Sequence, residues 1–254
     1  MPANAFSRLA LSTRTSVDAE TRSTLKKDDV FIHSTQVGLD WVAENRAKAL
    51  RIAIGVLVVI ALAVAAVIVY QQRSTAAANA FGSAVSLYST PIADPAQPVP
   101  PGVKTFATAA DRAKAANPLF EDVAKRYSST KAGHNALYFA GLTAGEMGNT
   151  TGAEASFRKA GDLHDANIAS LAHLALANLL TQHGQTSDAI KLYQDLINHP
   201  SSTVPAATAQ LQLAQLYEAS NQPAEANKIY ALLKAKDPTT AAGQIAAQKL
   251  SGQH

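Results

Sequence analysis

The 254-residue chain contains no cysteine. Disulfide bonds, thiolate nucleophiles, iron–sulfur clusters and cysteine-ligated zinc sites are therefore excluded. Charged residues are also scarce, at 16% of the chain against roughly 25% in an ordinary soluble domain. The formal net charge of +3 is too small an excess for a nucleic-acid-binding protein, so no nucleic-acid partner is expected.

Catalytic and cofactor signatures are missing as well. The sequence has no GxGxxG, P-loop, GxSxG, HExxH or EF-hand loop. Carboxylates such as Glu121 and Asp122 are adjacent and point to different faces of a helix, which is wrong for a shared acid and base. An enzyme hypothesis therefore has no residues to name, and no cofactor is expected.

Histidine is the only candidate metal ligand of note. Four histidines lie nine to sixteen residues apart, so no helix face presents a pair: His164, His173, His183 and His199. Asp162, His164 and Asp165 cluster within a few residues, but a solvated turn explains them better than a metal site. Asn149-Thr150-Thr151 matches a glycosylation sequon, and a turn after Gly148 explains it equally well.

One long apolar run stands out from Ile52 to Tyr70, 19 residues without a charge or an amide. At ~1.5 Å per residue it spans about 28 Å as a helix, enough to cross a hydrocarbon layer of ~30 Å. A buried soluble helix would show a polar stripe, and this run has none. We therefore predict a transmembrane helix that contacts the lipid bilayer.

Basic residues indicate the orientation of this span. Three bases precede it (Arg46, Lys48 and Arg51), whereas Arg73 is the only base between the span and Lys104. Positive residues stay on the cytoplasmic side, so residues 1–51 are predicted to be cytoplasmic and the 184 residues after Tyr70 to lie on the far side of the membrane.

A cleaved signal peptide is the alternative to an uncleaved span. Small residues at A-x-A spacing follow the apolar run at Ala76, Ala78 and Ala80. However, a 51-residue leader and a 19-residue apolar stretch both exceed what signal peptides use. The uncleaved span is the preferred interpretation.

The segment before the span divides into two parts. Residues 1–35 are polar and contain few large apolar residues, which predicts a disordered cytoplasmic arm. In residues 36–51 apolar residues recur near helical spacing around Trp41, which predicts a juxtamembrane amphipathic helix at the headgroup layer. A plain solvated helix leading into the span explains the second part equally well.

The part after the membrane contains an internal repeat. Its segments are Leu137–Ala140–Gly141–Ala144 with Ala153–Phe157–Ala160; Leu176–Ala177–Leu180 with Ala189–Tyr193–Leu196; and Leu213–Ala214–Tyr217 with Ala226–Tyr230–Leu233. Ala153 and Ala189 are 36 residues apart, and Ala189 and Ala226 are 37 apart. Turn signals divide each repeat into two helices, at Gly148-Asn149, Gly184-Gln185 and Asn221-Gln222-Pro223.

These residues resemble the tetratricopeptide repeat, a unit of about 34 residues that pairs two helices. In that resemblance Gly141, Ala177 and Ala214 let the paired helices approach closely. The aromatic residues Phe157, Tyr193 and Tyr230 then fill the gap to the next repeat. The expected fold class is all-α, with one transmembrane helix followed by a tetratricopeptide-like helical-repeat superhelix over residues 105–254.

Further helices flank the three repeats. Helix 71–90 is expected to continue from the span, and its Phe81, Val85 and Tyr88 fall on one face. With an apolar helix around Phe120 it would form a partial repeat. Residues 91–104 contain five prolines and are predicted to be an exposed loop. At the other end, a capping helix is expected around Ile245, Ala246 and Leu250.

This architecture resembles the bacterial single-span tetratricopeptide proteins of the inner membrane, a family that includes the ancillary subunit of the Sec translocon. The resemblance covers roughly residues 36–250 and rests on the topology and the repeat residues together. It implies a periplasmic scaffold whose partners are translocon components or periplasmic chaperones.

The concave positions of the repeat carry over to nine residues of this chain. They are Asn135, Tyr138 and Leu142; Leu174, Asn178 and Thr181; and Leu211, Gln215 and Glu218. Such a face, rich in amides and mildly apolar, suits an extended or helical peptide. Alternatively Tyr138, Leu174 and Leu211 pack against an N-terminal helix. The predicted function is an interaction scaffold for export or envelope assembly, and the alternative is a passive cell-envelope tether without a groove.

Overall fold

The computed structural model describes residues 43, 45–94, 96, 102–236 and 238–252. The predicted arm and most of the predicted juxtamembrane helix lie outside these residues. The described residues form nine helices: α1 Arg46–Tyr88, α2 Ala109–Arg126, α3 Lys131–Glu146, α4 Thr150–Gly161, α5 Ala166–Gln182, α6 Thr186–Asn198, α7 Ala206–Ala219, α8 Pro223–Lys236 and α9 Ala241–Ser251. They contain no strand beyond one isolated bridge, so the all-α fold class is confirmed.

Helix α1 contains the apolar run. Every side chain from Arg51 to Arg73 except the glycine at 55 is exposed, including Leu57 at 65%. Among the described helices, α1 is long and apolar enough to cross a membrane, judged by length and composition. It ends at Tyr88, two residues before the predicted end. By its internal contacts the chain divides into two units, residues 1–68 and 69–254.

The second unit is built from helices that pack in chain order. Each helix from α2 to α9 packs against the next one, and α3 also contacts α5 while α7 contacts α9. The pairs α3–α4, α5–α6 and α7–α8 are the three predicted repeats. Contacts between consecutive elements are the arrangement expected of a stacked repeat domain.

The two helices of the first repeat pack closely where a small residue faces an aromatic ring. An ideal Cβ atom on Gly141 of α3 would lie 2.6 Å from the Phe157 ring of α4, so only glycine leaves room for this ring. Phe157 is 3% exposed, and its counterparts Tyr193 and Tyr230 are 1% and 0% exposed. All three aromatic side chains are therefore buried. Phe157 and Tyr193 also share a core cluster with Leu176 and Leu213 of the repeats that follow them, in agreement with the predicted packing toward the next repeat.

The predicted turns are also confirmed, because the first helix of each repeat ends in the same motif. Gly148, Gly184 and Asn221 adopt positive φ angles of 77°, 71° and 56°. The next residue donates its N–H back to the helix in each case, at 2.9 Å for Asn149 to the Ala144 oxygen. This is the Schellman arrangement, which satisfies carbonyl groups that a helix end leaves open.

The partial repeat forms around the end of α1. Phe81 and Tyr88 pack on Phe120 of α2 and Phe139 of α3, with ring centroids 5.5–6.1 Å apart. The Tyr88 hydroxyl also donates to the Glu146 carboxylate. Burial, together with this hydrogen bond, raises the pKa of Tyr88 to about 12. The last turns of α1 are thus part of the repeat domain.

Two irregular segments interrupt the repeat pattern. In the Pro-rich loop, Ala93 N–H donates to the Phe106 oxygen at 2.8 Å, which joins the two ends of the loop; residues 95 and 97–101 lie outside the described part. Between α6 and α7, Val204 is fully buried. The neighbouring Thr203 hydroxyl donates to the Asn167 oxygen at 2.8 Å. The extra residues of the 37-residue spacing therefore form a packed insertion on the start of α5.

The contact between Gly141 and Phe157 makes a stability prediction. Phe157→Ala should lower the free energy of unfolding by about 3 kcal/mol or more through cavity formation. Gly141→Ala should cost about 1–3 kcal/mol by overpacking, despite the better helix propensity of alanine. Thermal unfolding of the chain in detergent, followed by circular dichroism, measures both changes.

Gly82 provides the matched control, because it lies inside α1 with no atom within 4 Å of an added Cβ. Gly82→Ala should raise stability by about 0.5–1 kcal/mol through helix propensity alone. In a Phe157→Ala background, Gly141→Ala should cease to destabilise because the ring it collides with is gone. Equal effects of Gly141→Ala in both backgrounds would contradict the contact.

Candidate functional site

The nine predicted groove residues lie on α3, α5 and α7, the first helices of the three repeats. All nine side chains are half-buried. Within each helix the three residues lie three or four positions apart, which places them along one side of the helix. We call this set the inner face. Its polar members differ in whether their side chains already form hydrogen bonds within the repeat domain.

On α3 the inner face is dominated by an aromatic residue. The Tyr138 ring lies 6.0 Å from the Phe157 ring and 5.8 Å from the Phe139 ring. Burial raises the pKa of Tyr138, so the phenol is neutral at physiological pH. Leu142 packs on the same core. Asn135 has no hydrogen-bond partner within the described part of the chain. This helix thus offers the amide of Asn135 on the same side as the packed ring of Tyr138.

On α5 the polar atoms of the inner face are already engaged. The Tyr193 hydroxyl of α6 donates to Asn178 Oδ1 at 2.7 Å. The Thr181 hydroxyl donates to the Ala177 oxygen at 2.8 Å, within its own helix. Leu174 packs beside Leu196 and Val204. The nitrogen of the Asn178 amide can still donate, but its position is set by Tyr193.

On α7 an ion pair already engages the carboxylate of the inner face. Lys249 of α9 donates to Glu218 Oε2 at 2.8 Å. This hydrogen bond holds the pKa of Glu218 below its usual range, although burial opposes the shift. The neighbouring Tyr230 hydroxyl has its pKa raised by burial and by Glu218. Leu211 packs on the core that contains Tyr230. Gln215 has no hydrogen-bond partner among the described residues.

The packing partners of the three large inner-face residues belong to the repeats. Tyr138 packs on α4, Leu174 beside α6 and the insertion, and Leu211 on the core of α8 and α9. The sequence pattern did not reveal that Asn178 and Glu218 have partners inside the domain. Both partners lie in other helices, 15 and 31 residues away, beyond the reach of helix periodicity.

The polar clusters outside the inner face have structural roles. Asp165 accepts backbone N–H groups at the start of α5, and Asn149 does so at the start of α4. His173 and His199 both approach Asp195, with Nδ1 to carboxylate distances of 3.9 and 2.9 Å. Over the residues that the structure describes, no group of three or more acidic or histidine side chains could hold a metal ion.

The pair of Glu218 and Lys249 makes a pH prediction. Because the folded pKa of Glu218 is depressed, the stabilisation is complete above its ordinary value of 4.5 and is lost as the pH falls through the folded value. Lys249→Gln should raise the pKa of Glu218 toward 4.5 and flatten this part of the acid unfolding curve. Carboxyl carbon NMR titration measures it, with the Glu218 signal assigned from Glu218→Gln.

Lys191→Gln is the control for this titration, because Lys191 forms a comparable ion pair with Asp188 at 2.8 Å on α6. It should raise the pKa of Asp188 and leave Glu218 unchanged. An unaltered Glu218 titration in Lys249→Gln would show that the two groups are not coupled.

Comparison with known families agrees with the helix pairing. The model of the tetratricopeptide repeat-like domain matches residues 40–195, which is more than half of the chain. The model of the tetratricopeptide repeat matches residues 208–240, which cover most of α7 and all of α8. A search of curated proteins found no match. Because the first match covers more than half of the chain, from residue 40 into α6, the chain belongs to the tetratricopeptide repeat-like domain family.

Proposed function

We propose that this protein is a scaffold anchored by one helix in the bacterial inner membrane. Its N-terminus lies in the cytoplasm and its repeat domain in the periplasm. The inner face of α3, α5 and α7 binds an extended or helical segment of another protein. Partners come from the export or envelope-assembly machinery, such as translocon subunits or periplasmic chaperones.

The membrane anchor is supported by the exposure of α1. Its apolar side chains from Ile52 to Tyr70 are exposed on all sides of the helix. Exposing so large an apolar surface to water costs many kcal/mol of free energy, at roughly 25 cal/mol per Å². A lipid bilayer covers it completely, and the bases before the span favour a cytoplasmic N-terminus.

The scaffold role rests on one observation about the inner face. Tetratricopeptide repeats suggest a protein-interaction scaffold. Here the Asn135 and Gln215 amides lack partners among the described residues, while the apolar side chains around them are held by the core. Amide groups on a rigid surface can hydrogen-bond the backbone of a bound peptide with little loss of entropy.

The export machinery is the preferred source of partners because of chain order. The repeat domain begins within the helix that contains the span, so its first residues directly follow the predicted end of the bilayer crossing. Segments of newly exported proteins and of translocon subunits are available at that surface.

A passive tether is the second candidate function. It is favoured by the internal use of Asn178 and Glu218, which leaves fewer polar groups for a partner. A tether would keep the fold and the anchor and bind nothing at the inner face.

The topology can be tested with single cysteines, because the chain has none of its own. Ser187→Cys lies at an exposed position in the first turn of α6, and Ser16→Cys lies in the N-terminal arm. A membrane-impermeant maleimide should label Ser187→Cys in intact spheroplasts and Ser16→Cys only after lysis. The reverse pattern would overturn the orientation.

Photo-crosslinking tests the inner face. A photoreactive amino acid at Gln215 should form adducts, identified by mass spectrometry, that are absent when it replaces Gln194. Gln194 is the matched control because it is an exposed glutamine on α6. Asn178 is less suitable for the probe, since its replacement also removes the bond to Tyr193.

The two candidate functions give different outcomes in this experiment. For a scaffold, Asn135→Ala together with Tyr138→Ala should reduce the Gln215 adducts while the helical circular dichroism spectrum is retained. Identical adducts from Gln215 and Gln194 would refute the inner-face site and leave the tether.

A further inference from the structure

The turn between α2 and α3 is strongly basic. Residues 125–131 read KRYSSTK, with three cations and no acid, and we call this segment the basic turn. All three cationic side chains are exposed. Arg126 forms an ion pair with Asp122, whose carboxylate oxygen lies 3.0 Å from the guanidinium nitrogen. Lys125 and Lys131 have no side-chain partner among the residues that the structure describes.

The corresponding turns of the other repeats do not share this charge. Residues 158–165 read RKAGDLHD, where two acids balance two bases. Residues 195–205 contain one acid and no lysine or arginine, and residues 234–240 contain two lysines and one aspartate. Basic residues in the last turn of a helix are common because they complement the helix dipole. That general effect does not explain why the excess of basic over acidic residues is largest in the turn between α2 and α3.

A hydrogen bond places the basic turn beside the end of the apolar run. Arg73 of α1 donates from Nη2 to the Arg126 oxygen at 3.1 Å. Arg73 follows Tyr70 by three residues, which corresponds to about 4.5 Å along the helix. The basic turn is therefore held against a residue that closely follows the predicted end of the span, and Arg73 adds a fourth cation to it.

The backbone of the basic turn is held firmly. The buried Thr130 hydroxyl donates to the Tyr127 oxygen at 2.8 Å and accepts the Gly133 N–H at 3.1 Å. A Cβ atom on Gly133 would overlap the Tyr127 oxygen, so α3 starts in direct contact with the end of the turn. The Arg126 guanidinium lies 5.4 Å from the centre of the Tyr127 ring. The cations are thus presented from a fixed backbone.

We propose that the basic turn, together with Arg73, binds the phosphate groups of anionic phospholipids at the bilayer surface. This proposal rests on the membrane anchor proposed above. Each lysine or arginine side chain near an anionic membrane surface raises the ratio of the bound to the free state about fivefold. The contact holds the α2–α3 edge of the repeat domain on the bilayer, in addition to the covalent connection through α1.

Fluorescence quenching in nanodiscs tests this contact with the full chain. Ser129→Cys, an exposed position in the basic turn, carries an environment-sensitive fluorophore, and the lipids include a headgroup-labelled quencher. Quenching should be stronger in nanodiscs of phosphatidylcholine with phosphatidylglycerol than in phosphatidylcholine alone. Added salt should weaken it, because exposed charges are screened over about 8 Å at ~0.15 M salt. A fluorophore at Ser187→Cys should show no such dependence on lipid charge.

Two triple variants separate a local site from total charge. Lys125→Gln, Arg126→Gln and Lys131→Gln together should lower the bound-to-free ratio about a hundredfold and abolish the effect of phosphatidylglycerol. The matched triple Lys159→Gln, Lys234→Gln and Lys236→Gln removes the same charge from other exposed positions and should leave the effect intact. Equal loss in both triples would overturn the proposal.

The remaining outcomes distinguish the lipid contact from the anchor. Co-purification of the chain with nanodiscs reports the span separately, and a chain that does not insert overturns both the anchor and the lipid contact. A chain that inserts but shows equal quenching with and without phosphatidylglycerol overturns only the lipid contact. Displacement by inorganic phosphate at constant ionic strength would show that a free anion suffices, which would also refute binding to the lipid surface.

Discussion

The repeat domain depends on the close approach of two helices where a small residue faces an aromatic ring. At Gly141 the Phe157 ring occupies the space of a side chain, and Tyr193 and Tyr230 are buried at the equivalent positions of the next repeats. Because each ring contacts helices that follow one another in the chain, the domain is a series of local contacts. The same packing holds the first helices of the repeats with one side half-buried, and that side is the inner face.

The inner face combines a rigid base with only a few open polar groups. Tyr138 and the leucines are held by the core, and Asn178 and Glu218 are positioned by Tyr193 and Lys249. Internal hydrogen bonds of this kind reduce the entropy lost when a partner binds, but they also reduce the number of groups available to it. The balance between these two effects distinguishes a binding scaffold from a passive tether. Binding of lipid at the basic turn would further restrict where the inner face can lie.

Much of this architecture is predictable because it depends on short-range patterns. The apolar run, the three helix pairs and their turns are all visible as periodicity or as residues with special backbone preferences, such as Gly148 and Gly184. The packed insertion around Val204 was harder to predict from the sequence. Polar and proline residues surround Val204, and only the longer repeat spacing indicates extra residues there. The nine inner-face positions were identified by the resemblance to the repeat, and the structure places all of them on the first helices.

Residue order along the chain was sufficient for the helical class, the candidate span and the repeat, because each is visible as a pattern of residue types along the sequence. It was not sufficient for pairs such as Tyr193 with Asn178, Glu218 with Lys249, or Arg73 with the end of α2. The last pair is separated by 53 residues and includes a backbone oxygen, which has no signature in the sequence. Which polar groups are used inside the domain, and which remain for partners or lipid, follows from how the helices stack. That stacking depends on the shapes of side chains in several helices at once, so it became visible only in the folded chain.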